Sequence, residues 1–237
     1  MLKQFKTPFA FFFLSVLIIL SSCETEDPGP LQEVVREFPV VGFDRLEMGS
    51  AFNIRVEQSS TYGIQISGDR RNIEDLEVFK TGSTLVIRFE DHGNRNHQTF
   101  ITITMPRLEA ANFSGASIST VNGFESDEEL DIYLSGASVC QLHAGYRELN
   151  LMLTGASTLQ MFGLGDEIHA EVSGASILTA YDFPVRQADL DISGASRGKV
   201  TVTDELTAVA TGASSVLYRG NPSVTSTVSG ASTVRKD

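Results

Sequence analysis

A series of polar residues recurs at nearly constant intervals in the second half of the chain. Four of them are separated by 19, 19 and 20 residues, and two acidic residues lie two positions after the last two. The series consists of Asp131, Asn150, His169 and Asp189, joined by Glu171 and Asp191. If the chain stacks these positions, neighbouring carboxylates approach the separation of about 5–5.5 Å that retaining glycosidases use. The series therefore predicts a surface site for glycan or cation binding, or for glycoside hydrolysis.

Other features favour a solvated polar face over an active site at these positions. The chain has no Trp, and Tyr133 is the only aromatic residue in the same outward positions. A glycosidase also needs a groove across the sugar from its carboxylates, and usually an aromatic platform. We therefore predict no catalytic residue here and treat hydrolysis as the alternative.

The remaining candidates for chemistry are histidines and a cysteine. His92 and His97 could reach one metal ion, but no cysteine or close carboxylate pair completes a ligand set. Cys140 falls in the inward column that also contains Leu159, Leu178 and Val216, and is expected to be a small core residue. No phosphate-binding or dinucleotide motif is present, so we predict neither a metal nor a cofactor.

The element that must position these residues is a repeated tetrapeptide, Ser-Gly-Ala-Ser or a close variant with Thr at its first position. Seven copies begin 21, 19, 19, 20, 18 and 18 residues apart, between Ser114 and Ser229. A period near 20 residues is typical of a solenoid. The glycine allows a sharp bend, the alanine is expected inside it, and the hydroxyls are expected to bond nearby backbone. The predicted corner glycines are Gly115, Gly136, Gly155, Gly174, Gly194, Gly212 and Gly230.

Apolar and polar residues alternate on both sides of each corner. The residues directly before the seven motifs are mostly apolar: Phe113, Leu134, Leu153, Val172, Ile192, Ala210 and Val228. Alternation with period two is typical of strands with one buried face. The sequence therefore predicts an all-β protein, a single-stranded parallel β-helix with coils of about 18–21 residues.

The coil pattern defines a domain over residues 34–237. Residues 108–237 hold the seven repeats, and residues 34–107 are predicted to form less regular coils. In that part, Met48–Ala51 resembles a degenerate corner, and Val78–Ile87 predicts a hairpin or tight corner around Gly82. Asp91–Gln98 is predicted to be a protruding loop.

The first 33 residues predict export and anchoring. Lys3 and Lys6 precede an apolar run that ends in Leu20-Ser21-Ser22-Cys23, which resembles a bacterial lipobox. Residues 1–22 are thus predicted to be a lipoprotein signal peptide, and Cys23 the acylated residue that anchors the protein to a membrane. Residues 23–33 are acidic and rich in proline, which predicts a short tether.

Removal of the signal peptide leaves 16 Lys and Arg against 30 Asp and Glu, a net charge of −14. This balance argues against nucleic acid and anionic headgroups as partners. The predicted location is the envelope of a Gram-negative bacterium, in its outer membrane, facing the periplasm or the outside.

Together these features are similar to a known family. The lipobox, the Phe52–Val56 and Tyr62–Asp69 strands, the Gly82–Phe89 segment and the repeated corners resemble the putative auto-transporter adhesin, head GIN domain family. The resemblance covers nearly all of residues 38–237. It implies a β-helical envelope protein with an adhesin-like role, and it carries over no catalytic residue.

Two functional hypotheses follow. The first is a non-catalytic envelope lipoprotein that uses its repetitive surface as an adhesin or scaffold, with glycans or envelope proteins as contacts. The alternative is a carbohydrate-active β-helix enzyme that uses Glu171, Asp189 and Asp191.

Overall fold

The computed structural model describes residues 29–91 and 95–237, and almost all regular structure in them is β-strand. The first elements are β1 (Glu33–Glu37), β2 (Arg45–Met48), β3 (Asn53–Gln58), β4 (Gly63–Asp69), α1 (Arg70–Glu74), β5 (Leu76–Thr81), β6 (Thr84–Phe89) and β7 (Thr99–Met105). The repeats form β8 (Ala110–Phe113), β9 (Ile118–Leu134), β10 (Val139–Leu153), β11 (Thr158–Val172), β12 (Ile177–Ile192), β13 (Arg197–Ala210), β14 (Ser215–Arg219), β15 (Ser223–Val228) and β16 (Thr233–Lys236).

The repeats stack as parallel strands in register, which confirms the predicted β-helix. β9 to β13 pair in chain order, and β14, β15 and β16 continue the stack. Each of β9 to β13 runs through most of one coil, and most of their pairings shift register part-way along the coil. The predicted apolar column before the motifs points inward in most coils: Leu134, Leu153, Val172, Ile192 and Ala210 are each at most 1 % exposed. The prediction is wrong for Val228, which is 45 % exposed because β15 pairs with β13 alone among the described strands and no further coil covers it.

The corners depend on their glycines for two reasons. All seven have φ between 71° and 83°, a region that L side chains rarely adopt. Six of them also stack directly on a corner glycine of the preceding coil. In each case the N–H of the alanine that follows the glycine donates to the carbonyl of the glycine in the preceding coil. Ala175 N, for example, lies 2.7 Å from Gly155 O. The same backbone hydrogen bond, repeated at each corner, thus keeps successive coils aligned.

The expectation that alanine fills the inside of the corner is wrong. The motif alanines are exposed, and the final serines are buried instead: Ser117, Ser138, Ser157, Ser176, Ser196, Ser214 and Ser232. The physical reason is hydrogen bonding, because Ser157 Oγ donates to Thr154 O at 2.8 Å, across the bend. Ser176 Oγ also accepts from Ser157 N at 3.3 Å, which links neighbouring coils. Alanine could make neither bond.

The first part of the domain joins the same stack but is not uniformly parallel. β3 pairs in parallel with β7 and β9, and β2 with β6 and β8. In contrast, β4 pairs antiparallel with β7, and β1 antiparallel with β4. The degenerate motif forms a corner beneath the first repeat, since Ser50 and Ala51 have positive φ and Ser114 N donates to Met48 O.

Two local features complete this region. β5 and β6 form the expected hairpin around Gly82, whose φ is 62°. The short helix α1 was not predicted, and it begins after Asp69, whose side chain accepts from Arg71 N. Among the described residues, no helix has the length and apolar character needed to cross a bilayer.

Candidate functional site

The six residues of the polar series lie on one outer face of the solenoid, which we call the acidic face. Strand register places Asp131, Asn150, His169 and Asp189 side by side in one column. Asn150 Nδ2 donates to Asp131 Oδ1 at 3.1 Å, so two members are in direct contact. Glu171 and Asp191 pair in the neighbouring column. The structure therefore brings the series together, and its functional role stays a prediction.

An open depression of about 340 Å³ lies over this face. Tyr133 and Met152 form part of its wall and are 38 % and 40 % exposed. Glu171, Asp189 and Asp191 are exposed on the same surface. The depression is open to solvent and can accept polar groups or a cation. The described residues form no wall across from the carboxylates that would hold a sugar between two catalytic groups.

Charged neighbours that the repeat pattern did not indicate surround this face. His169 Nε2 lies 3.2 Å from Glu167 Oε1 and 3.9 Å from Glu148 Oε1. Arg45 of β2 reaches across to Asp131, with Nη1 and Oδ2 3.8 Å apart. Glu148 and Glu167 pair in a column of their own, six positions before each motif, so counting further back from the motifs would have revealed them. Arg45 comes from β2, outside the repeats, and the column pattern could not indicate it.

Among the described residues, the other candidates for chemistry do not assemble into a site. Cys140 lies wholly inside the core, where burial raises the pKa of its thiol to about 11 and disfavours a nucleophilic thiolate. Within residues 29–91 and 95–237, no three His, Cys, Asp or Glu side chains are grouped for a metal ion. His92 and Cys23 lie outside the described residues.

The later part of the predicted loop, residues 95–98, packs against the body of the domain. The Arg95 guanidinium pairs with Asp75 and lies 4.3 Å from the Phe89 ring centroid. Asn72 Nδ2 donates to His97 O at 2.9 Å. Arg95 and His97 are therefore half-buried against the domain, whereas Asn96 and Gln98 are exposed as the predicted loop requires.

A second outer face, which follows each corner, has a different character. Its first column contains Phe100, Asn53, Ile118, Val139, Thr158, Ile177, Arg197, Ser215 and Thr233. Its second column contains Thr102, Arg55, Thr120, Gln141, Gln160, Thr179, Lys199, Leu217 and Arg235. Neither column contains Asp or Glu, and we call this surface the carboxylate-free face.

The column beside the carboxylate-free face contains aromatic and cationic side chains, and it also contains Glu57 and Asp182. Glu57 pairs with Arg55 of the face at 3.2 Å. His143 and Phe162 stack, with ring centroids 4.5 Å apart and planes 12° apart. Further along, the Arg219 guanidinium lies 3.8 Å from the Tyr181 ring centroid, and Lys199 Nζ lies 5.8 Å from it. The solenoid thus separates an acidic face from a neutral to basic one.

Comparison with known proteins assigns the family. Residues 42–222, more than half of the chain, match the model of the family described as putative auto-transporter adhesin, head GIN domain. The chain belongs to the head GIN domain family. No curated protein matches the chain.

Solved structures share this fold at low sequence identity. A putative adhesin from Bacteroides fragilis is 20 % identical, with a TM-score of 0.79 over 87 % of this chain and 97 % of its own. A protein from Parabacteroides distasonis described as a putative lipid binding protein is 17 % identical, with a TM-score of 0.71 over 86 % and 96 %. A putative adhesin from Parabacteroides merdae is 17 % identical, with a TM-score of 0.67 over 87 % and 96 %. At these identities the similarity shows a common fold.

Proposed function

We propose that this head GIN domain protein is a non-catalytic, adhesin-like component of the bacterial envelope. Its family supports an adhesin-like role at the bacterial surface. The observation that carries the proposal is the pair of outer faces on which side chains from successive coils lie in register. Such faces present repeated contacts to glycans or to other envelope proteins without an enclosed pocket.

We further propose that acylated Cys23 anchors the protein in the outer membrane of a Gram-negative cell. The lipobox at Leu20–Cys23 and the acidic, proline-containing segment after it support this arrangement. The tether would hold the solenoid away from the lipid surface, in the periplasm or outside the cell.

The alternative is hydrolysis of a carbohydrate through the acidic face. The pairing of Glu171 with Asp191 and the position of Asp189 beside His169 motivate it. The exposure of all three carboxylates and the open depression above them favour contact over catalysis.

A triple substitution separates these functions. The variant Glu171→Gln, Asp189→Asn, Asp191→Asn is compared with Glu125→Gln, Asp127→Asn, Asp166→Asn, which makes the same charge change at exposed residues that line a different depression. Both are assayed with the native protein for cleavage of a polysaccharide panel and for binding to a glycan array and to whole cells. We expect binding without cleavage in the native protein. Cleavage that disappears only in the first variant would establish the enzyme.

A further inference from the structure

We infer that the carboxylate-free face binds an acidic polysaccharide, which extends the proposed adhesin-like function and rests on it. Three cations lie close together at one end of this face. Arg197 and Lys199 are two residues apart on β13, and Lys199 and Arg235 are separated only by Leu217 in the second column. Within the part of the chain that the structure describes, none of the three forms a salt bridge. Asp237 interacts electrostatically with Lys199 but is paired with Arg219 at 2.9 Å, so this cluster keeps an excess of positive charge for a ligand.

The distribution of charge favours binding of an anionic ligand to the carboxylate-free face and disfavours its binding to the acidic face. The chain has a net charge of −12, and the acidic face presents Asp131, Glu171, Asp189 and Asp191. A polyanion is therefore repelled by the acidic face and attracted to the face that lacks carboxylates. Electrostatic complementarity of this kind determines orientation and specificity more than raw affinity.

The rest of the face suits a sugar polymer. Ile118, Val139 and Ile177 are 53 %, 39 % and 37 % exposed, in one column that can pack against the apolar faces of sugar rings. Beside them, Gln141 and Gln160 lie in register and offer amide groups to hydroxyls. Parallel strands repeat these groups about every 4.8 Å along the solenoid axis. A linear polymer that lies along this axis meets similar contacts at each coil.

Nucleic acid fits this face less well. A duplex carries one charge per about 1.7 Å, and proteins that bind it neutralise many phosphates. Three cations on a strongly acidic protein fall short of that requirement. Acidic polysaccharides carry their charges further apart and add hydroxyls that the Gln and Thr side chains can bind.

The test uses the full chain and polygalacturonate as the acidic probe, with dextran as the neutral one. The variant is Arg197→Gln, Lys199→Gln, Arg235→Gln. The control is Arg70→Gln, Arg147→Gln, Arg186→Gln, which removes three exposed cations elsewhere. Thermal unfolding of both verifies that the fold is retained. We expect the variant to lose at least about tenfold in affinity for polygalacturonate, the control to match the native protein, and salt to weaken native binding.

Four outcomes would overturn the inference. Equal losses in both variants would show general charge attraction and no site. Tighter binding of duplex DNA or of phosphatidylglycerol vesicles than of polygalacturonate would assign the face to another class of anion. If the native protein and both variants bind cells or neutral glycans equally well, the adhesin-like function is supported but the carboxylate-free face is not the binding site. If the native protein binds no glycan, protein or cell, both proposals fail.

Discussion

A Cβ atom placed on Gly174 would lie 2.3 Å from the carbonyl oxygen of Gly155 in the preceding coil. The same relationship recurs between the other stacked motif glycines, at 2.4–2.7 Å. These contacts are shorter than any real Cβ contact, and the obstructing atom is backbone. The motif glycine is therefore required by the coil beneath it as well as by its own φ of 78°.

Gly174→Ala is expected to destabilise the protein by several kcal/mol, because the coils must separate or the corner must change conformation. Gly82→Ala is the control, since Gly82 has a φ of 62° but nothing within 4 Å of the added Cβ. That variant should lose only about 1–2 kcal/mol from backbone strain. Urea denaturation measures both, and equal losses would show that stacking imposes no separate constraint.

Ser176→Ala is expected to reduce the free energy of unfolding by about 1–3 kcal/mol, because the buried Ser157 N–H loses its acceptor. Ser173→Ala, at the half-buried first position of the same motif, is the control. It should change stability by less than about 0.5 kcal/mol. A neutral effect at Ser176 would mean that the buried hydroxyls do not link the coils.

Asp69 should make stability depend on pH in the acid range. Its side chain is buried and accepts from Arg71 Nε and Nη2, each at 2.7 Å, which holds the pKa of the carboxyl well below its usual range. The unfolded chain has an Asp pKa of about 3.9. The stabilisation is therefore present above about pH 4 and is lost as the pH falls towards the folded pKa.

The matching measurement is the urea midpoint of native protein and Asp69→Asn at pH 7 and pH 3. The difference in urea midpoint between the two proteins should be large at pH 7 and smaller at pH 3. At pH 3 the Asp69 carboxyl binds a proton when the chain unfolds, and this proton uptake favours the unfolded state of the native protein. Asp182→Asn, at an exposed position, should match the native midpoint at both values. A difference for Asp69→Asn that does not shrink in acid would contradict the assignment.

Cys23→Ser is expected to abolish acylation and to move the protein from the membrane fraction to the soluble fraction. The reason is that the acyl chains supply the membrane affinity. Fractionation followed by mass measurement of the N-terminal peptide tests this, with Cys140→Ser as the control that keeps the lipobox intact. Retention of Cys23→Ser in the membrane fraction would reject the anchor. Protease treatment of intact cells then distinguishes a periplasmic from an exposed domain.

The repeat region was predictable because its period and its alternation agree. Columns such as Leu134, Leu153 and Val172 follow directly from counting back from each motif, and the structure places them in the core. The corner was predicted only in part, because small size alone suggests that Ala116 fills the bend, whereas the structure exposes Ala116 and buries Ser117. The expectation that the hydroxyls bond nearby backbone is confirmed, since Ser117 Oγ donates to Ser114 O at 2.7 Å.

The first part of the domain was less predictable because it lacks the period. Nothing in Gly63–Asp69 distinguishes a strand that pairs antiparallel from one that continues the coil. The carboxylate-free face, in contrast, could have been predicted from the sequence. Its residues lie one and three positions after each motif, and a comparison of charge between those positions and the ones before the motif would have revealed it.

The stacked corners also bear on how such a protein changes in length over evolution. Each coil between β9 and β13 pairs only with the coils directly before and after it. Duplication of one coil, about 20 residues, would extend the solenoid by about 4.8 Å and repeat the same corner bonds on a new neighbour. Deletion would shorten it without opening the core. The length of the solenoid, and with it the number of repeated contacts on each face, is therefore a quantity that recombination can adjust in fixed steps.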